Sequence, residues 1–191
     1  MPLNLPMVLT WIRILMIPLV VGIYFLPDAL FSMATKNWLA AWFFILAAVT
    51  DALDGYLARK WNQTSNFGAF LDPVADKLMV GAALIMLVYL DRIGPLVALI
   101  IIGREITISA LREWMAQLGA GKSVAVNSLG KFKTIAQMVA IPMLLIYETW
   151  NGIDLKLLGT FLIYVAAILT VWSMFYYLQK AWPIIRDQEG L

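Results

Sequence analysis

Asp51-Ala52-Leu53-Asp54-Gly55-Tyr56-Leu57-Ala58-Arg59, then eight residues, then Gly68-Ala69-Phe70-Leu71-Asp72-Pro73-Val74-Ala75-Asp76, is the stretch on which the reading of this chain turns. An apolar run from Trp38 to about Leu57 carries the first acids at its end. Another, from about Phe70 to Leu90, carries the later ones at its start. Positions 51, 54, 55 and 58 recur at i, i+3, i+4 and i+7, which lines one face of an α-helix. That face bears two carboxylates followed by two residues with almost no side chain. A helix beginning near Gly68 stacks 68, 72 and 76 in a second stripe. A short connection makes the two helices antiparallel neighbours, so the spacing predicts four carboxylates facing one another.

The rest of the chain supplies the setting. Of its 191 residues 62% are hydrophobic and 14% charged, about half the charge of an ordinary soluble domain. The mean hydropathy is +0.83. The expected fold is an all-α integral membrane protein, one domain over residues 1–191 with six transmembrane helices of ~20 residues. The run from Leu157 to Gln179 is a clean span of 23 uncharged residues. The others are shorter and charged at one end: Val8 to Leu26 with Arg13, the two runs above, Ile93 to Leu111 with Arg104 and Glu105, and a fifth starting just after Lys131 and Lys133 and ending near Tyr147.

Lysine and arginine counts orient these spans. Both termini and the even-numbered connections carry Arg59, Lys60, Arg112, Lys122, Lys131, Lys133, Lys180 and Arg186, against Lys36, Arg92 and Lys156 on the other side. Eight against three places both termini in the cytoplasm by the positive-inside bias. The N-terminus has no basic n-region and no small-residue cleavage site, so the first span reads as retained. With this topology the in-span charges of the first five helices all fall at their cytoplasmic ends. Five helices then bring charge to one depth of one leaflet, where an active site is expected.

The chain has no cysteine and no histidine, which excludes thiolate nucleophiles, His bases and His- or Cys-ligated metals. A net charge of +2 gives no case for a nucleic-acid partner. An aspartate at mid-span costs roughly 2.5–3.5 kcal/mol, less near an interface, and clustered carboxylates repel. Divalent cations are the natural compensation, and all-oxygen ligation suits Mg²⁺, Mn²⁺ or Ca²⁺. Mg²⁺ prefers few carboxylates plus substrate phosphates, which points to a phosphate-bearing substrate. Gly55 and Ala58 leave room for a flat group against the backbone, and Arg59 offers a fork for phosphate oxygens. A carboxylate-based proton or cation transporter shares the clustered acids, but not their confinement to one leaflet.

Asp51-x-x-Asp54-Gly55-x-x-Ala58-Arg59-x8-Gly68-x-x-x-Asp72-x-x-x-Asp76 resembles the complete signature of the CDP-alcohol phosphotransferases, with eight fixed positions matched. The six-helix layout extends the likeness over nearly the whole chain. Members of that family transfer a phosphatidyl or similar group from a CDP-linked donor to an alcohol and release CMP. The resemblance implies that Asp51, Asp54, Asp72 and Asp76 hold two divalent cations, Mg²⁺ or Mn²⁺. It implies that Asp76 takes the proton of the attacking hydroxyl, that Gly55, Ala58 and Gly68 accommodate cytidine, and that Arg59 meets the diphosphate. Family members are commonly homodimers.

The acceptor is read from the ends of helices four and five, Arg104-Glu105-Ile-Thr107-Ile-Ser109-Ala-Leu-Arg112 and Ser128-Leu-Gly130-Lys131-Phe-Lys133. Glu105, Ser109 and Arg112 share a face, and with Lys131 and Lys133 they make a basic pocket that draws a phosphate-bearing acceptor. Both segments, and the opening Leu5-Pro6-x-x-Leu9-Thr10-x-x-Arg13, resemble the branch of that family whose bacterial members form phosphatidylglycerophosphate. The opening departs at Met7, where asparagine is expected. This likeness implies a reaction of CDP-diacylglycerol with sn-glycerol 3-phosphate at the bacterial cytoplasmic (inner) membrane. Arg104, Arg112, Lys131 and Lys133 would hold the acceptor phosphate. Serine, inositol or inositol phosphate are the alternative acceptors. Gly119-Ala-Gly121-Lys122-Ser123 is no phosphate-binding loop: position 116 is alanine and no strand precedes it.

Overall fold

A computed structural model describes residues 5–61, 66–119 and 128–189, with side chains over 7–53, 67–68, 70–119 and 132–186. Six α-helices run through the described residues. They are α1 (Leu5–Gly22, followed by a 3-10 turn, Ile23–Phe25), α2 (Met33–Trp61), α3 (Asn66–Tyr89), α4 (Pro95–Gln117), α5 (Ser128–Ile146) and α6 (Leu155–Glu189). The segments Met7–Phe25, Met33–Leu53 and Leu155–Arg186 are long and apolar enough to cross a membrane, and Phe132–Ile146 is a shorter apolar helix. α3 and α4 fall short of that standard because of their charges, three in α3 (Asp72, Asp76 and Lys77) and four in α4 (Arg104, Glu105, Arg112 and Glu113).

Burial explains how such apolar helices hold together. The interior is built on Ala40, Ala41, Ala47, Ala83 and Ala140, with Phe44, Leu84, Leu87, Ile141 and Leu144 filling the gaps. Large residues such as Leu15, Ile85, Leu99, Phe161, Ile168 and Trp172 face outward. Small residues inside and large apolar ones outside are the arrangement expected in lipid, where close backbone approach replaces hydrophobic collapse. The tightest approach is α5 on α6. A Cβ at Gly159 would stand 2.9 Å from the Leu144 Cγ and 3.1 Å from the Met143 Cβ.

α1 packs on both α2 and α3, α2 also on α5, and α4 chiefly on α6. At the end away from the carboxylates, Arg92 fastens three elements. It donates to the Leu144 and Leu145 carbonyls at 2.9 and 2.5 Å, and to Asn37 Oδ1 at 2.6 Å. These bonds satisfy carbonyls that the C-terminus of α5 leaves open. Buried Lys36 meets Asp28 Oδ1 and the Leu26 carbonyl, both at 2.6 Å.

Two details depart from the sequence reading. α5 begins at Ser128, so Lys131 and Lys133 lie inside the helix rather than ahead of it. A long aliphatic stem lets a lysine sit in the first turns of such a helix with its ammonium at a polar site. A small antiparallel hairpin, β1 (Thr149–Trp150) with β2 (Ile153–Asp154), joins α5 to α6. Asn151 and Gly152 turn it at φ 50° and 81°, the backbone that an Asn-Gly pair favours. Asp154 Oδ1 then accepts from the Leu157 N–H at 3.0 Å, capping the start of α6.

Candidate active site

Three of the four motif aspartates have described side chains: Asp51 on α2, and Asp72 and Asp76 one turn apart on α3. Asp54, Gly55, Ala58, Arg59 and Lys131 lie outside the residues whose side chains are described, as does Lys122 altogether. Gly68 is described, half-buried one turn before Asp72.

What organises these carboxylates is α1. Arg13, 1% exposed, places Nη1 2.8 Å from Asp51 Oδ1. Thr10, three residues earlier on the same helix face, donates through its Oγ1 to Asp72 Oδ1 at 2.5 Å. A single turn of α1 therefore holds one carboxylate from α2 and one from α3. A buried guanidinium is tolerated only where charge partners compensate its lost hydration, and Asp51 is such a partner. Sequence reasoning quoted Thr10 and Arg13 for the likeness of the opening segment and gave them no task. The signal was there in a fully buried arginine's position, a turn and a half inside an apolar span.

Asp76 occupies the middle of the site. It is half-buried, with the charges of Asp51, Arg13, Glu105 and Lys77 all acting on it. It borders a small polar cavity of about 50 Å³, whose other walls include Lys77, Glu105, Lys133, Thr134 and Gln137. Lys133, buried on α5, forms an ion pair with Glu105 on α4. An apolar groove of about 360 Å³ between α1, α3 and α4 shares Lys77, Val80 and Glu105 with that cavity, and runs on past Gly81 and Ile85. Polar and lipid-facing spaces thus meet at Glu105.

Arg104 and Arg112 take a different direction from Lys133. Arg104 donates to Ser173 Oγ at 3.0 Å and lies over the Tyr177 ring. Arg112 donates to the Tyr177 hydroxyl at 3.0 Å and lies over the same ring. Both guanidiniums therefore lean on α6, while Glu105 and Lys133 close on each other across α4 and α5. The Nε atoms of Arg104 and Arg112 are buried and make no hydrogen bond among the described residues.

The donor set suits a hard cation. Among the described residues no three acids stand close enough to hold a metal, and the fourth motif carboxylate, Asp54, is not among them. Asp51 and Asp72 are already engaged by an arginine and a hydroxyl, each through one oxygen. Oxygen-only ligands fit Mg²⁺ or Mn²⁺ and not a soft metal.

A family model described as CDP-alcohol phosphatidyltransferase matches residues 3–172. The chain is 48% identical over 194 aligned positions to the CDP-diacylglycerol–glycerol-3-phosphate 3-phosphatidyltransferase of Haemophilus influenzae, covering 100% of both chains. It is 47% identical over 191 positions to proteins of that name from Escherichia coli strain K12 and Shigella flexneri serotype 5b, covering 98% of this chain and 100% of each of theirs.

Proposed function

The chain belongs to the CDP-alcohol phosphatidyltransferase family, and from that membership we propose that it transfers the phosphatidyl group of CDP-diacylglycerol to sn-glycerol 3-phosphate. The products are phosphatidylglycerophosphate and CMP. The observation that carries the reading is the meeting at Glu105 of a polar cavity holding Asp76 and Lys133 with an apolar groove. A lipid-linked donor and a water-soluble, anionic acceptor need such a junction. Full-length likeness to proteins named for this reaction supports the choice of acceptor.

The roles follow from the chemistry of the groups. The acceptor's hydroxyl oxygen bonds to the phosphatidyl phosphorus, the bond from that phosphorus to the CMP oxygen breaks, and the hydroxyl proton passes to Asp76. With no histidine in the chain, a half-buried carboxylate is the best base available. Asp51, Asp54, Asp72 and Asp76 are the residues that would hold divalent cations, Mg²⁺ or Mn²⁺. When bound, such cations supply charge neutralisation at the diphosphate. Arg13 and Thr10 orient Asp51 and Asp72. Gly55, Ala58 and Gly68 accept the cytidine, and Arg59 the diphosphate. Lys133 meets the acceptor phosphate, with Lys131, Arg104 and Arg112 adding positive charge. The family match over nearly the whole chain supports one domain. The six apolar runs support six spans, and the lysine and arginine bias supports a site facing the cytoplasm at the inner membrane.

The test is direct. Purified protein is given CDP-diacylglycerol, Mg²⁺ or Mn²⁺, and candidate acceptors one at a time. CMP release with glycerol 3-phosphate is the expected result. No release with any acceptor sinks the enzyme reading, and release with serine or inositol alone sinks the choice of acceptor.

A further inference from the structure

Glu105 is the one acid on the face that carries the basic pocket, and it lines the same cavity as the motif's Asp76. Its carboxylate is paired with the Lys133 ammonium, with Arg104 Nη1 3.5 Å away. It borders the cavity that holds Asp76. α4 packs chiefly on α6 and α3, and α5 chiefly on α6 and α2. The Glu105–Lys133 pair is therefore a bridge between two helices that have little else in common at this depth. Lys133 needs such a bridge. An ammonium on a flexible four-carbon stem has many rotamers to choose from, and out of water it stays charged and fixed only beside a counter-charge. Thr134, next to Lys133, and Gln137, one turn along α5, line the same cavity but carry no charge to offer.

We propose that Glu105 is a positioning residue for the acceptor: it fixes the Lys133 ammonium in the cavity beside Asp76 and thereby sets the affinity for a phosphate-bearing alcohol. Its effect on the lipid donor's affinity is much the smaller, because its ion pair is with Lys133 and not with the groove. Arg104 is committed to Ser173 and Tyr177, so it does not replace Lys133 when Lys133 is lost. This inference rests on the acceptor reading above and assigns a task that the motif leaves open.

The experiment compares wild type with Glu105→Gln, Glu105→Asp, Lys133→Gln and the double variant E105Q/K133Q. CMP release is followed against glycerol 3-phosphate and, separately, against CDP-diacylglycerol. For E105Q we expect the acceptor KM to rise about tenfold or more, with kcat at saturating acceptor and the donor KM within about threefold of wild type. E105D recovers part of the loss. The double variant has the acceptor KM of K133Q alone, because Glu105 acts through Lys133. An unchanged acceptor KM, an equal rise in both KM values, or multiplied effects in the double variant overturns the proposal. Should E105Q fail to turn over, glycerol 3-phosphate protection against thermal unfolding reads the same quantity. Protection at wild-type concentrations overturns the proposal, and protection needing about tenfold more ligand supports it. A wild type that releases no CMP with glycerol 3-phosphate instead refutes the acceptor reading itself, which keeps the two failures apart.

Discussion

The Arg13 guanidinium on α1 stands 2.8 Å from the Asp51 carboxylate on α2. α1 thus fixes a carboxylate that belongs to another helix, which under the proposed function makes it part of the active site and not only an anchor. Thr10 does the same for Asp72 on α3.

Arg13→Ala removes a buried cation and leaves Asp51 without it. Breaking a fully buried pair costs 3–5 kcal/mol; with the Asp51 side chain 40% exposed, solvent screening lowers the expected loss to about 1–3 kcal/mol. Thermal unfolding in detergent micelles measures it. Arg13→Lys recovers part of the loss. Thr10→Val deletes one hydrogen bond and costs about 1 kcal/mol, while Thr10→Ser costs less. An unchanged midpoint in Arg13→Ala would contradict the role given to α1.

Lys133→Ala raises the KM for glycerol 3-phosphate by about tenfold or more and leaves the donor KM near wild type. Steady-state CMP release with each substrate varied in turn decides this. If the acceptor KM does not move, Lys133 serves topology alone.

Gly159→Leu drives a side chain into Leu144 and Met143, where even a Cβ has 2.9 and 3.1 Å. Overpacking of this kind costs typically 1–3 kcal/mol, and Gly159→Ala sits at the low end. The loss appears as a lower unfolding midpoint in detergent, with KM values unchanged in the protein that remains folded.

Much of the site was legible because helical spacing is a local property. Asp72 and Asp76 stack one turn apart on α3, as periodicity requires, and Asp51 sits in the second half of α2. Contacts between helices are not local. Nothing in the spacing of α1 tells that Thr10 reaches a residue 62 positions away. The same limit governs α4. Periodicity groups Arg112 with Glu105, but the long guanidinium arm reaches across to Tyr177 on α6, while Glu105 turns to α5. Sharing a face says which residues are neighbours and leaves open which helix they meet. The start of α5 escaped for another reason: hydropathy marks where a helix becomes apolar, and a helix begins where its backbone bonds do.

The most direct measurement follows radiolabelled glycerol 3-phosphate into lipid. Purified wild type and Asp76→Asn are supplied with CDP-diacylglycerol and Mg²⁺ or Mn²⁺, with CMP counted in parallel. The account predicts label entering the lipid phase one-for-one with CMP in the wild type. It predicts a rate lower by roughly 10²–10⁴-fold in a folded Asp76→Asn protein. No label in lipid with wild type, or equal rates in the two proteins, would contradict it.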